Sequence, residues 1–215
     1  MVECPRIKAV IFDFGRVISS QKPASLFRAY EDDLGLAPGT INQIMFESQA
    51  WRDALIGRSS TKEFWQAIGP ALGLESQAQI SDFRKRYHTD ESIDKGVLNL
   101  IRHLHGRYKL AVLSNSPPGL ADWLSDWGIL DLFNVVYCSG DEGMLTPQPA
   151  AYNSTLKRLG TSACEAVFID DTIGHVEAAK SLGMHGIRFT TAEQLKLELS
   201  RLLTGVDRVN PLVGV

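Results

Sequence analysis

Short, nearly unbroken apolar runs recur along the chain, and each stops at a polar residue. Lys8-Ala9-Val10-Ile11-Phe12 is rich in β-branched and aromatic side chains and is followed at once by Asp13. A run of that length without alternation predicts a strand buried on both faces of a parallel sheet. Leu110 to Leu113 ending in Ser114-Asn115, Val135 to Tyr137 ending in Cys138-Ser139, and Ala166 to Ile169 ending in Asp170-Asp171 share the design. Met184 to Phe189 predicts a fifth strand, weakened by His185 and Gly186. Polar side chains therefore collect just beyond strand C-termini.

Helical spacing separates these runs. Leu120, Trp123, Leu124 and Trp127 precede Gly128, and Tyr152, Leu156 and Leu159 precede Gly160, so each glycine reads as a C-cap. Val176 to Leu182 ends similarly at Gly183, and Thr190 to Gln194 supplies a capping box for a last helix carrying Leu195, Leu199 and Leu202. Alternation of this kind predicts right-handed β-α-β units in a three-layer, Rossmann-like α/β fold, with the ligand site at the carboxyl ends of the strands.

One interval breaks the rhythm. Between Val17-Ile18 and Leu110 lie five helical candidates: Pro23 to Leu34, Ile41 to Phe46, Thr61 to Ile68, Ser76 to Tyr87 and Ile93 to His105. The last carries Val97, Leu98, Ile101 and Leu104 on one side and suits the crossover back to the sheet. The others exceed what one crossover needs. They predict an inserted helical cap over residues 20–89, turning at 35–39 and 69–70, with 1–19 and 90–215 forming the core domain. Phe27, Tyr30, Phe46, Trp51, Phe64, Trp65 and Phe83 are enough to give that cap its own interior. The tail after Leu203 reads equally as an irregular extension or an edge strand.

Charged residues make up 22% of the 215, with a formal net charge of -3, which gives no electrostatic reason to expect nucleic acid or an anionic membrane as partner. A small anionic ligand remains compatible. The N-terminal stretch has no apolar run of the length a signal peptide or membrane helix needs, so a cytoplasmic protein is expected. Cys4, Cys138 and Cys164 are spaced too widely for a metal or disulfide motif and read as free thiols.

A parallel sheet would gather Asp13, Ser114-Asn115 and Asp170-Asp171 above one edge. Three carboxylates there repel one another, and a hard, oxygen-preferring cation such as Mg²⁺ is the natural compensation. With that charge in place, a carboxylate oxygen of Asp13 can attack phosphorus and form an aspartyl phosphate. Gly15 predicts a sharp turn that presents its carbonyl to metal, with the N–H groups from Phe14 to Val17 as a phosphate nest. The Ser114 hydroxyl and Asn115 amide are further phosphate donors.

In order along the chain, AVIFDFGRVI, VLSNS, GMLTPQPAAY and VFIDDTIGHVEAAKSLGM resemble the four motifs of the haloacid-dehalogenase superfamily, in its branch with a helical cap after the first strand. The resemblance implies that Asp13 is the nucleophile, that the Gly15 carbonyl and Asp171 bind Mg²⁺ with support from Asp170, and that Ser114 holds phosphate. It implies hydrolysis of a small phosphorylated metabolite, such as a sugar phosphate, beneath a cap that selects the leaving group and excludes water.

Two positions depart from the family. Its second aspartate, the general acid and base, is Gly15 here, an absence worth ~10²–10⁴ in rate. Its lysine before the motif-three proline is Thr146, worth ~10²–10³ by analogy with a lost oxyanion donor. Arg16 and His175 are the candidate replacement cations, while Thr146 also reads as the N-cap of a helix starting at Pro147. Together the departures support a second reading, a phosphate-ligand sensor or protein-interaction domain. In the cap, Arg28, Trp51, Arg52, Arg58 and Trp65 are candidates for substrate contact, with ordinary packing or surface exposure as the alternative.

Overall fold

A computed structural model describes residues 6–203; Cys4 and the tail beyond Leu203 lie outside the described residues. Five strands, β1 (Ala9–Phe12), β2 (Lys109–Ser114), β3 (Val135–Cys138), β4 (Ala166–Asp170) and β5 (His185–Arg188), form one all-parallel sheet in the order β3-β2-β1-β4-β5. All five predicted strands are present, within a residue or two of their expected ends. β1 is central and wholly buried, which explains its unbroken apolarity.

Alternation still operates inside that run. Val10 and Phe12 face one layer, where they meet Val97, Leu100 and Ile101 of α6 (Lys95–Leu104), Leu124 of α7 (Leu120–Asp126) and Leu195 of α11 (Ala192–Leu203). Ala9 and Ile11 face the other, against Tyr152 and Leu156 of α9 (Pro149–Leu159) and Ala179 of α10 (Ile173–Ser181). The three-layer architecture follows from this division of a two-residue period. Gly128 and Gly160 adopt the left-handed conformation past α7 and α9 that their positions predicted. At the last helix the capping box straddles two threonines: Thr191 Oγ1 accepts the Gln194 N–H, while Gln194 Oε1 accepts the N–H of Thr190.

Between β1 and α6 the chain forms α1 (Ala24–Leu34), α2 (Thr40–Asn42), α3 (Gln49–Leu55), α4 (Thr61–Ile68) and α5 (Gln77–Thr89). Tyr30, Ile41, Met45, Phe64, Trp65, Leu72 and Phe83 make a hydrophobic interior of their own there. Two details differ from expectation. The helix expected over Ile41 to Phe46 is split into α2 and a π-type turn at Gln43–Glu47. The unforeseen α3 starts where the Ser48 hydroxyl accepts the Trp51 N–H, and it is too short for its periodicity to stand out in sequence.

The segment leaves and rejoins the core through two paired linkers. Ser19 and Ile93 form an antiparallel bridge, Ser20 N–H donates to Ser92 O and Asp94 N–H donates to Ile18 O. Lys22 and Glu91, one from each linker, form a largely buried ion pair, with the ammonium 4.2 Å from the Tyr87 ring centroid. The short α8 (Ser139–Glu142) seats α3 from the core side. A Cβ at Gly140 would stand 2.5 Å from Pro118 N and 2.8 Å from Ala54 O, both backbone atoms that cannot swing away.

Gly140→Ala is therefore expected to destabilise the protein by about 1–3 kcal/mol through overpacking at that seat. Gly174→Ala, where a Cβ meets nothing within 4 Å inside α10, should instead stabilise by up to about 1 kcal/mol. Urea denaturation of both variants checks the opposite signs.

Candidate active site

Register brings the polar strand ends together. Phe12 is level with Val112 of β2 and Ile169 of β4, and Asp13 N–H continues the ladder to Ile169 O at 2.8 Å. Asp13, Asp170 and Asp171 consequently converge, each offering an oxygen, with all three oxygens within 4.8 Å of one another. Asp170 is almost fully buried and held on both sides: Oδ1 accepts the Thr172 N–H at 2.7 Å, and Oδ2 lies 2.9 Å from His175 Nδ1. Asp171 is less buried. Its Oδ2 accepts from Arg16 Nη1 at 3.0 Å, and its Oδ1 from the Thr172 hydroxyl at 3.3 Å.

Asp13 opens partly onto the cleft, yet protein surrounds its carboxyl closely. Desolvation is the largest influence on its pKa and raises it well above 3.8; Asp170 and, more weakly, Asp171 push in the same direction. The Ser114 hydroxyl and Phe14 N–H, both hydrogen-bonded to the carboxylate, oppose the rise without cancelling it. The cluster therefore carries more negative charge than its own surroundings compensate. Three carboxylate oxygens at this separation fit a hard divalent cation, whose charge would remove that imbalance.

The loop after β1 differs from its expected form. Gly15 has φ −65°, open to any residue, whereas Arg16 takes the left-handed φ of 59°. An added Cβ at Gly15 would meet only Asp13 Oδ2, at 4.0 Å. The sharp turn therefore lies at Arg16, fixed where its N–H donates to Ser19 Oγ (3.3 Å) and its guanidinium reaches Asp171. Of the expected phosphate nest, the Phe14 N–H is engaged by Asp13 and the Arg16 N–H by Ser19.

Motif three also differs. Thr146 is not a helix N-cap: α9 starts at Pro149, with Gln148 before it. The Asn115 carboxamide holds the Thr146 backbone in both directions, accepting from its N–H and donating to its carbonyl at 2.9 Å each. Asn115, expected as a phosphate donor, thus has one side of its amide committed to positioning this loop. The buried Thr146 hydroxyl lies 3.5 Å from His175 Nδ1, so His175 approaches both the Asp170 carboxylate and the position where the family carries lysine. His175 is built into the support of Asp170.

Above the carboxylates a cleft of about 1360 Å³ lies between the core and α1–α5. Of the cap candidates, Arg28, Trp51 and Trp65 line it. Arg52 and Arg58 do not: Arg52 is held by the Glu47 carbonyl and Gln49, and Arg58 by Asp53. Phe46, expected in the cap interior, is instead exposed and lines the cleft, because the π-type turn at Gln43–Glu47 carries it outward; Lys22, His88 and Trp123 line the cleft without having been expected there. Cys138 is a buried free thiol and Cys164 an exposed one. Among the described residues, no helix is long and apolar enough to cross a membrane.

Comparison with known proteins agrees with this geometry. Residues 7–183 match the family model "haloacid dehalogenase-like hydrolase". A sesquiterpene phosphatase of Aspergillus oryzae is 27% identical over 205 residues, spanning 93% of this chain and 98% of that protein. A D-ribitol-5-phosphate phosphatase of Bacteroides thetaiotaomicron is 25% identical over 211 residues, spanning 92% and 98%. A solved structure of a HAD-like family hydrolase from Porphyromonas gingivalis superposes with a TM-score of 0.72 at 23% identity, covering 93% of this chain and 98% of that one, which supports the fold.

Because the folded state favours protonated Asp13, its contribution to stability is full below about pH 3.8 and is lost as pH rises through the elevated folded pKa. Metal-free Asp13→Asn protein should consequently melt at a higher temperature than wild type at pH 7.5, with the difference vanishing near pH 4. Differential scanning calorimetry in chelator across that range checks it; equal melting temperatures at both pH values would show that burial beside Asp170 and Asp171 does not disfavour the ionised Asp13.

Proposed function

Because the chain belongs to the haloacid dehalogenase-like hydrolase family, we propose that it is a Mg²⁺-dependent phosphomonoester hydrolase working through an aspartyl phosphate on Asp13. The observation that supports this best is the convergence of the Asp13, Asp170 and Asp171 oxygens in the lining of a cleft wide enough for an organic ester. Asp13, Asp171 and the Gly15 carbonyl are the residues we assign to the cation, with Asp170 holding the loop through Thr172 and His175. When bound, Mg²⁺ supplies positive charge to the phosphate oxygens and to the carboxylates.

In this reading Ser114, already hydrogen-bonded to Asp13, fixes the carboxylate and offers its hydroxyl to a phosphate oxygen. An Asp13 oxygen forms the new bond to phosphorus as the bond to the ester oxygen breaks, and water later releases phosphate. Arg16 reaches the same edge from outside, and its exposed guanidinium is placed to move from Asp171 to a phosphate oxygen. No carboxylate stands at position 15 to protonate the departing oxygen, so a slow enzyme is the expectation for alkyl esters. The relatives' names span a polyol phosphate and a terpene phosphate, and they leave the alcohol open.

The test is phosphate release from a panel of esters with Mg²⁺ and with chelator. Turnover should require Mg²⁺ and fall to background in Asp13→Asn, and acid quenching should trap phosphoprotein only with Asp13 present. No release from any ester at high protein concentration would overturn the reading.

A second reading, a phosphate-ligand sensor, is favoured by one observation: a buried threonine hydroxyl occupies the lysine position. Thr146→Lys separates the two. A slow hydrolase should gain about 10²-fold or more in turnover, whereas a sensor should bind phosphate ligands in calorimetry with no turnover before or after the change.

A further inference from the structure

The cap wall of the cleft is organised around aromatic rings. Phe27, Phe46, Trp51 and Phe64 form a continuous series, with centroid separations of 6.4, 5.3 and 5.6 Å between successive members. Phe64 is buried in the cap interior, but Phe46 is 36% exposed, one of the exposed large hydrophobic residues in the protein. It sits on the π-type turn at Gln43–Glu47, an irregularity often found at functional positions, and it lines the cleft. On the core side of the cleft, Trp123 joins Phe14 and Trp127 at 5.6 and 6.0 Å, with the His88 ring tilted against it at 4.3 Å.

Several polar groups of the same wall are engaged with the protein itself, while Arg28 and Arg84 also line the cleft. Glu31 accepts the Ile41 N–H, Lys22 pairs with Glu91, Ser60 and Glu63 bind each other, and the Thr61 hydroxyl donates to the Pro118 carbonyl. A polyol would need such groups unpaired, because each buried hydroxyl must find a partner or cost free energy. Burial also lowers the His88 pKa to about 4, ahead of repulsion from Arg84 and Lys22, and raises that of Tyr87 to about 12. At neutral pH both present uncharged rings to the cleft. Its volume exceeds the ~300–1,000 Å³ usual for small-ligand sites, so a short polar metabolite would leave most of the aromatic wall wet.

From this juxtaposition we infer that the cleft binds the phosphate ester of an extended apolar alcohol, with the phosphate at Asp13 and the hydrocarbon chain along Phe46, Trp51 and Trp123. The inference rests on the phosphatase reading and deepens it by naming the leaving-group class. The sugar phosphate expected from sequence is the competing class.

The experiment uses the full chain with Mg²⁺ and a series of ethyl, butyl, hexyl, octyl and decyl monophosphates below micellar concentrations, with sorbitol 6-phosphate as the polyol matched to hexyl. Specificity, kcat/KM, should rise about threefold to fourfold per added methylene until the wall is covered. Hexyl phosphate should exceed sorbitol 6-phosphate by about 100-fold. Phe46→Ser should flatten the chain-length gradient. Turnover with a flat gradient, or a preference for the polyol, overturns the inference while the phosphatase reading stands. Should no ester turn over, calorimetry of the same series on Asp13→Asn protein decides: affinity rising with chain length upholds the apolar site and sinks the phosphatase reading, and affinity independent of chain length sinks the apolar site.

Discussion

Repulsion among Asp13, Asp170 and Asp171 is the constraint around which the rest of the molecule is arranged. A parallel sheet in this register cannot avoid it, because strands in step deliver the residues that follow them to one edge. Each carboxylate is restrained differently. Asp13 is held by Ser114 and the Phe14 N–H, Asp170 by Thr172 and His175, and Asp171 by Arg16 and the Thr172 hydroxyl. Those hydrogen bonds orient the oxygens inward but leave the Asp13 pKa raised, so orientation has been favoured over charge neutrality. Sites that bind a cation have this character in general: the donor set is assembled at a cost that the ion offsets.

The same sheet explains why so much of the architecture was legible. β1 reads as an unbroken apolar run because Val10 and Phe12 serve one helical layer while Ala9 and Ile11 serve the other. The glycines that end α7 and α9 adopt the conformation that only glycine takes easily, so their meaning is local. What was not legible depended on partners distant in sequence. Thr146 looked like an N-cap because Ser or Thr before Pro has that meaning locally, and the Asn115 carboxamide, 31 residues away, decided otherwise. Gly15 looked like the turn residue for the same local reason, while the ion pair from Arg16 to Asp171 spans 155 positions and holds the left-handed residue one place later. Phe46 could not be told from its buried aromatic neighbours until the π-type turn placed it at the cleft.

Cap and core are joined by features of two kinds. Backbone pairing at Ser19 and Ile93, with the ion pair from Lys22 to Glu91, ties the linkers to each other. Close backbone approach at Gly140, with the Thr61 hydroxyl on the Pro118 carbonyl, ties the far side of the cap to the loop after β2. That loop begins at Ser114-Asn115. The cap seat at Pro118 and the Asn115 clamp on Thr146 therefore lie on one loop, a few residues from Ser114.

Charge accounting at the strand ends ties the two departures from the family together. A lysine at position 146 would place an ammonium beside Asp13 and Asp170 from within the buried floor; here the floor carries a hydroxyl, and the nearest ring nitrogen is already committed to Asp170. The guanidinium of Arg16 approaches from the opposite, exposed side and contacts Asp171 instead. A cation that is two-thirds exposed is screened by solvent and compensates less than a buried one, which agrees with the raised Asp13 pKa. It is also more mobile: a long side chain at the rim can leave Asp171 when another anion arrives, whereas a buried lysine is fixed in place. Replacing the fixed charge by an exposed one leaves the carboxylates less compensated by the chain itself, and, among the described residues, it puts the one guanidinium that contacts them on the loop after β1, at the left-handed Arg16.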